Sequence, residues 1–272
     1  MPHPALALSW PPLPNAVEWL VATSTETITV SAPGVRAMRW STDALYTAMK
    51  ETHVIGRALS GRSEWAAGGK VWRSGPRSLQ VKQPGDVHRL VSQDGPLTFQ
   101  VFIFSAGMIE SAIGNVRVRA YLDPDDERGA AFHCLHDAVS AEAGRFELEV
   151  AIAEAVSALA TVSDARFEHP RSVRRAIELL RARLADAITL DELAAHAGLD
   201  KFHLCRAFRA QVGLPPHAYL THLRVARAKQ LLAKGVRPSD IAPQIGMYDQ
   251  SQLNRHFRRI VGTTPARYAR SA

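Results

Sequence analysis

Two stretches near the end of the chain decide the fold. The first is Ile188–Tyr219, ITLDELAAHAGLDKFHLCRAFRAQVGLPPHAY. The second is Ile241–Arg270, IAPQIGMYDQSQLNRHFRRIVGTTPARYAR. Leu193-Ala194, Gly198, Leu204, Arg206, Phe208, Gly213, Pro216 and Tyr219 recur as Ile241-Ala242, Gly246, Leu253, Arg255, Phe257, Gly262, Pro265 and Tyr268. The repeat is about 48 residues long, and the turn of the second copy is one residue longer. In each copy a short helix with small inner residues stops at a glycine, which tolerates positive φ. A second helix then places Leu and Phe four residues apart on one face. Thr189 reads as an N-cap with Glu192 as its capping-box partner, and Gly198 as the stop. Arg206 and Arg255 fall between the two anchors and therefore on another face.

The segment joining the copies, about Pro215 to Lys234, is helical by its spacing of Leu220, Leu223, Ala226, Leu231 and Leu232. Eighteen or so residues span about 27 Å. With helix widths added, the second helices of the two units are expected about one duplex turn apart, roughly 34 Å. Upstream, Val173, Ile177, Leu180 and Leu184 form a further helical stripe.

Charge is split along the chain. Of the formal net charge of +7, residues 171–272 hold 18 Lys+Arg against 7 Asp+Glu, and the first 170 hold 15 against 19. A basic end on a mildly acidic remainder fits a nucleic-acid module attached to something else. Two cysteines, Cys134 and Cys205, are too few for a disulfide framework or a cysteine zinc site. No run of eighteen apolar residues occurs, and Met1–Pro14 lacks the pattern of a secretory signal. A cytoplasmic protein without membrane contact is expected.

Residues Glu26 to Ser105 read as β structure. The runs are Thr27–Val30, His53–Gly56, Ser78–Val81 and Leu97–Phe104, punctuated by Pro33-Gly34, Gly68-Gly69, Gly75-Pro76, Pro84-Gly85 and Gly95-Pro96. From Pro124 the period changes. Phe132, Leu135 and Val139, then Ile152, Val156 and Leu159, predict two amphipathic helices with a turn at Ala143-Gly144-Arg145. Their stripes pack either on the sheet of their own domain or on a second copy of the chain. Thr161–Pro170 is polar and aperiodic and reads as the linker. The expected fold is α+β in two domains: residues 1–161, a small β-barrel with two trailing helices; linker 162–170; and residues 171–272, all-α with two helix-turn-helix units.

With these motifs in place, residues 171–272 resemble the DNA-binding domain of the AraC/XylS family of transcriptional regulators. The β-rich part is similar to the cupin-like sensing domain often joined to it, with QPGDVHRL, Gln83–Leu90, as the local match. The resemblance implies seven helices around two helix-turn-helix motifs. It implies a regulator, more often an activator, controlled by a small-molecule effector held in the barrel. Duplex DNA and RNA polymerase are the implied partners, together with a homodimer through the two trailing helices. It further implies base-facing side chains at Phe202, Cys205 and Arg206 on the first recognition helix, and at Gln250, Ser251, Asn254 and Arg255 on the second. Such groups suit base edges: Arg to guanine, Asn or Gln to adenine, a ring to the thymine methyl. Phe202 is equally read as a cap on the local core. Lys201, Arg209, Lys229, Arg258 and Arg259 suit phosphate.

Pro243 departs from the pattern. With Ser239 as N-cap it is the fourth helical position, where proline costs up to about 3 kcal/mol in a helix interior, and a later helix start avoids most of that. Met247 stands where Phe is common in the family. In the β-rich half, His53, His88, Trp40 and Phe102 are the candidates to line a pocket. Two separated histidines do not make a metal site, so no cofactor and no enzymatic activity are expected. The alternatives are a cupin-type metalloenzyme with a helical DNA-binding tail, and an interaction module without DNA binding.

Overall fold

The computed structural model describes residues 22–30, 32–114, 118, 120–162 and 170–270. Most of the linker expected between the domains, 163–169, lies outside the described residues. The N-terminal strands are β1 (Ala22–Ile28), β2 (Val35–Thr42), β3 (Thr47–Met49), β4 (His53–Ala67), β5 (Lys70–Ser74), β6 (Leu79–Lys82), β7 (Val87–Phe104) and β8 (Ala120–Leu122). They form one sheet in the order β1-β2-β7-β4-β6-β8, with β3 added to β7 and β5 to β4, and every pairing is antiparallel. Gly68 and Gly69 both take positive φ and close the β4–β5 hairpin in two residues. The β4–β7 register shifts at Ala58/Ser60, Ser60/Arg62 and Glu64/Trp65. Such bulges bend long strands, so one ribbon wraps a cup instead of lying flat.

Strand alternation sorts the side chains into two cores. Leu97, Phe99, Val101 and Ile103 of β7 join Trp40, Tyr46, Val54 and Trp65 on the concave side. Phe102 and Phe104 join Ile55, Leu79 and Val81 on the other. Onto that second face pack α1 (Ala106–Ile113), α2 (Ala130–Ser140) and α3 (Arg145–Ala158). Phe132, Leu135, Ile152, Val156 and Leu159 are all buried there. The predicted stripes thus find their partner in their own sheet and are not available to a second copy.

The C-terminal helices are α4 (Arg171–Ala182), α5 (Leu190–Ala197), α6 (Lys201–Val212), α7 (Pro216–Ala233), α8 (Pro238–Gln244), α9 (Gln250–Val261) and α10 (Pro265–Arg270). Thr189 and Glu192 form the expected capping box on α5, and Gly198 ends it in the left-handed conformation. Two small cores result. One gathers α4, α5 and α6 with Tyr219 at the start of α7; the other gathers the end of α7 with α8, α9 and Tyr268. The repeat survives in detail: the Phe208 and Tyr219 rings meet edge to face at 5.6 Å, and Phe257 and Tyr268 at 5.4 Å. Such contacts add about 0.5–1.5 kcal/mol to the burial of the rings.

Pro243 lies inside α8, and the helix does not start late. Arg237, not Ser239, is the N-cap, and Pro238 occupies the first turn, where proline fits. The bond forfeited is the one to the carbonyl of Ser239, an exposed residue whose oxygen water can serve. Two residues later the Ile245 N–H reaches the Ile241 carbonyl at 3.2 Å. Ile241, Ala242 and Ile245 remain buried, so the unit packs normally despite the proline.

Among the described residues the two halves touch at several points. Met49 and Val87 of the sheet belong to the same apolar cluster as α4, α5 and α6. A Cβ placed on Gly213, just after α6, would lie 3.4 Å from Val87. Arg181 of α4 reaches the carbonyl of Pro84 at 3.4 Å, and Lys229 of α7 meets Glu51 at 2.7 Å.

Candidate nucleic-acid interface

Each recognition helix begins on an aspartate. Asp200 accepts from the N–H groups of Phe202 and His203, both at 2.9 Å, and Asp249 from that of Gln252 at 2.6 Å. The Tyr248 N–H donates to the Gln252 side chain at 2.8 Å, completing a second reciprocal cap. Such caps fix where each helix starts and hence which residues share a face. On α6 the anchors Leu204 and Phe208 are fully buried; on α9 so are Leu253 and Phe257.

Opposite those anchors run two matching stripes at helical spacing: Phe202, Cys205, Arg206, Arg209 on α6 and Ser251, Asn254, Arg255, Arg258 on α9. Cys205 and Asn254 are half-buried and the rest exposed. Arg206, Arg209, Arg255 and Arg258 join no carboxylate ion pair among the described residues. Most other basic groups of this half are spent internally: Arg183 on Asp186, Arg237 on Asp240, and Arg224 on the carbonyls of Leu184 and Asp186. Four arginines without a carboxylate partner among the described residues thus lie on the two stripes, two on each.

Phe202 is 70% exposed, so it does not cap the local core. Gln250 is exposed at the first turn of α9. Lys201 is exposed, 3.5 Å from Asp191, a contact of little energetic weight. Arg259 is exposed and 3.0 Å from His256. Lys229 corrects the sequence reading. Its side chain is 4% exposed and ion-paired with Glu51, so its charge faces the N-terminal half and not solvent. One exposed group escaped the sequence reading: Tyr248, 94% exposed in the elbow before α9. It is the extra residue of the longer second turn, and that insertion was the available signal.

In the N-terminal half the concave face of the sheet encloses a cavity in two lobes. One has about 460 Å³ of open space, mouth included, and is lined among others by Trp65, Trp72, Tyr121, Gln80, Lys82 and His88. The other, about 300 Å³, shares Trp65, Gln80 and Lys82 with it and adds Trp40 and Tyr46. Of the four pocket candidates, His88 and Trp40 line it. Phe102 and His53 do not. Phe102 sits one residue out of phase with Phe99 and Val101, is wholly buried and faces His136 at 4.8 Å on the helix side. His53 starts β4 in the phase of Ile55, and burial holds its pKa below the ordinary value. Gln80 and Lys82 were missed because Leu79-Gln80-Val81-Lys82 alternates like an edge strand with its polar side in water. Here both faces of the strand are covered, and the polar side points into the cup. Among the described residues no group of three or more His, Cys, Asp or Glu is placed to hold a metal.

Comparison with known proteins agrees with both halves. A family profile described as "Helix-turn-helix domain" matches residues 193–271, and one described as "AraC-like ligand binding domain" matches residues 35–156. The HTH-type transcriptional regulator YbfI of Bacillus subtilis is 29% identical over 74% of this chain and 78% of its own length. The HTH-type transcriptional activator AarP of Providencia stuartii is 31% identical over 33% of this chain and 67% of its own. The chain belongs to the AraC family of transcriptional regulators. Among solved structures, this AraC-family chain is similar to ToxT of Vibrio cholerae O395 at 12% identity, with a TM-score of 0.49, over 88% of this chain and 98% of that one. In AraC-family terms it is a regulator with a ligand-binding N-terminal domain and a DNA-binding helix-turn-helix domain. The cavity lies within the matched ligand-binding region, and the two exposed stripes lie within the matched helix-turn-helix region.

Proposed function

We propose that this regulator reads a specific duplex site through both stripes and that a small effector in the cup sets its output. Phe202, Cys205 and Arg206 on α6, and Gln250, Ser251, Asn254 and Arg255 on α9, are the base-reading groups. Lys201, Arg209, Arg258 and Arg259 hold phosphate. The carrying observation is the pair of equivalent, exposed and uncommitted arginines, Arg206 and Arg255, each opposite a buried Leu–Phe pair. Activation through RNA polymerase, a cytoplasmic location and the absence of catalysis complete the reading. For a homodimer, Phe146 and Val150 on α3, 79% and 41% exposed and four residues apart, replace the stripes that the sheet consumes.

The test is binding to the DNA upstream of the protein's own reading frame, with random DNA as control. Arg206→Ala and Arg255→Ala each cost about 1–3 kcal/mol at the specific site and relax preference at one position. Arg209→Ala weakens all DNA alike and lowers the salt slope by about one. Equal loss on specific and random DNA for both Arg206 and Arg255 would remove them from base reading.

A further inference from the structure

The cup has a chemistry that selects among effectors, and the reasoning here rests on the effector reading just given. Its walls are aromatic. Trp65 packs against Tyr46, His88 and Phe99 with ring centroids 5.5–5.9 Å apart, and Trp72 stacks on Tyr121 at 5.6 Å. The Trp65 indole N–H is already spent on Ser63 at 2.8 Å and Ser74 at 3.1 Å, so that ring offers the cavity only an apolar surface. Flat walls of this kind hold a planar ring by area and stacking.

The polar groups are fewer and directional. Gln80 is 7% exposed, lines both lobes, and its Nε2 has no hydrogen-bond partner. A buried amide donor without an acceptor costs about 1–3 kcal/mol, and an acceptor brought by a ligand would recover that. Lys82 lines both lobes as well, with its ammonium 4.9 Å from the centre of the Trp65 ring. Lys50, 3% exposed, lines the second lobe. The acidic lining residue is Asp86, which accepts the Gln83 N–H at 3.2 Å. An aromatic box alone would suit an organic cation. Here a lysine ammonium already lies over the Trp65 face and repels a second positive charge.

We propose that the effector is a small aromatic ring bearing one carboxylate. The ring lies among Trp65, Trp72 and Tyr121; the carboxylate meets Lys82 and accepts from Gln80 Nε2. Neutral analogues of the same shape keep the stacking and lose the charge-assisted bond. Amines of the same shape keep the stacking, lose the charge-assisted bond and meet repulsion from the lysine ammonium.

Tryptophan fluorescence of the full-length protein is the assay, because Trp40, Trp65 and Trp72 all line the cavity. Benzoate and phenylacetate are titrated against benzamide and benzylamine, and each protein sample is also run in a gel shift on its own upstream DNA. The carboxylates are expected to saturate the signal, the amide to bind about tenfold more weakly or worse, and the amine not to bind. Lys82→Met should erase the preference of acid over amide while leaving amide binding. Gln80→Leu should weaken acid and amide together. Equal binding of acid and amide, stronger binding of the amine, an unchanged acid affinity in Lys82→Met, or no response to either acid overturns the proposal. The gel shift separates the two failures. Specific DNA binding with no acid response sinks the ligand class alone; acid binding with no specific DNA binding, with or without ligand, sinks the regulator reading.

Discussion

Replacing Glu51 by Gln tests how the two halves are held together. Lys229 Nζ sits 2.7 Å from Glu51 Oε2, with side-chain exposures of 4% and 20%, and 5.8 Å from the centre of the Tyr268 ring. Breaking a fully buried pair from one side costs about 3–5 kcal/mol, because an ammonium is left without its counter-charge. Glu51 keeps one-fifth of its surface in water, and the new amide oxygen still accepts one hydrogen bond. The expected loss is therefore about 2 kcal/mol. Lys229→Met removes the buried charge itself and leaves Glu51 near solvent, so it should cost less, about 1 kcal/mol or under. The double variant should be more stable than Glu51→Gln alone. All five tryptophans lie before residue 73, whereas residues 171–270 are helical. Urea unfolding followed by fluorescence thus reports the N-terminal half, where Trp40, Trp65 and Trp72 lie on the sheet, and circular dichroism at the helix band weights the C-terminal half. Glu51→Gln should lower both midpoints and pull them apart. An unchanged midpoint by both signals, or a Lys229→Met loss larger than that of Glu51→Gln, refutes the reasoning. The same Lys229→Met protein should keep the parental salt slope on DNA; a slope smaller by about one would return Lys229 to the phosphate contacts.

Phe257→Ala, at a fully buried ring, should cost about 3–5 kcal/mol in the urea transition, and Phe208→Ala a similar amount. A loss under 1 kcal/mol at either would deny that the two repeats share one packing plan. Gly246→Ala should be severe. Its φ is +70°, and a Cβ there would lie 2.2 Å from the Ala185 carbonyl oxygen, so a soluble variant of parental melting temperature would contradict the close approach. His222 gives a pH dependence. Burial, then the Arg259 charge, lowers its pKa from 6.5 to about 4. The unfolded chain takes a proton below about pH 6.5 that the native state refuses until about pH 4. The contribution is thus fully present above 6.5, lost on acidification through that window, and constant below it. The limit is about 3 kcal/mol, trimmed by partial exposure to about 1–2 kcal/mol. His222→Gln should flatten the stability profile between those pH values, and an unaltered profile would assign the slope to other groups.

The sequence by itself determined everything that depends on short-range periodicity. Small residues, a glycine stop and a Leu–Phe pair at fixed spacing wrote both helix-turn-helix units, whose second helices run Lys201–Val212 and Gln250–Val261. A side chain opposite two core anchors on a surface helix is exposed by geometry, which is why the stripes bearing Arg206 and Arg255 were legible. Only the tertiary structure decided what meets what across long separations. Lys229 has the same local setting as any lysine on a basic helix, and its burial depends on a carboxylate 178 residues away. Phe102 and His53 were indistinguishable from pocket residues until the strand phase was fixed by pairing. Gln80 and Lys82 were not among the pocket candidates, because alternation tells which residues share a side and never which side is covered. The stripes of α2 and α3 demanded a partner, and whether that partner was a sheet or a second copy of the chain lay beyond any local pattern.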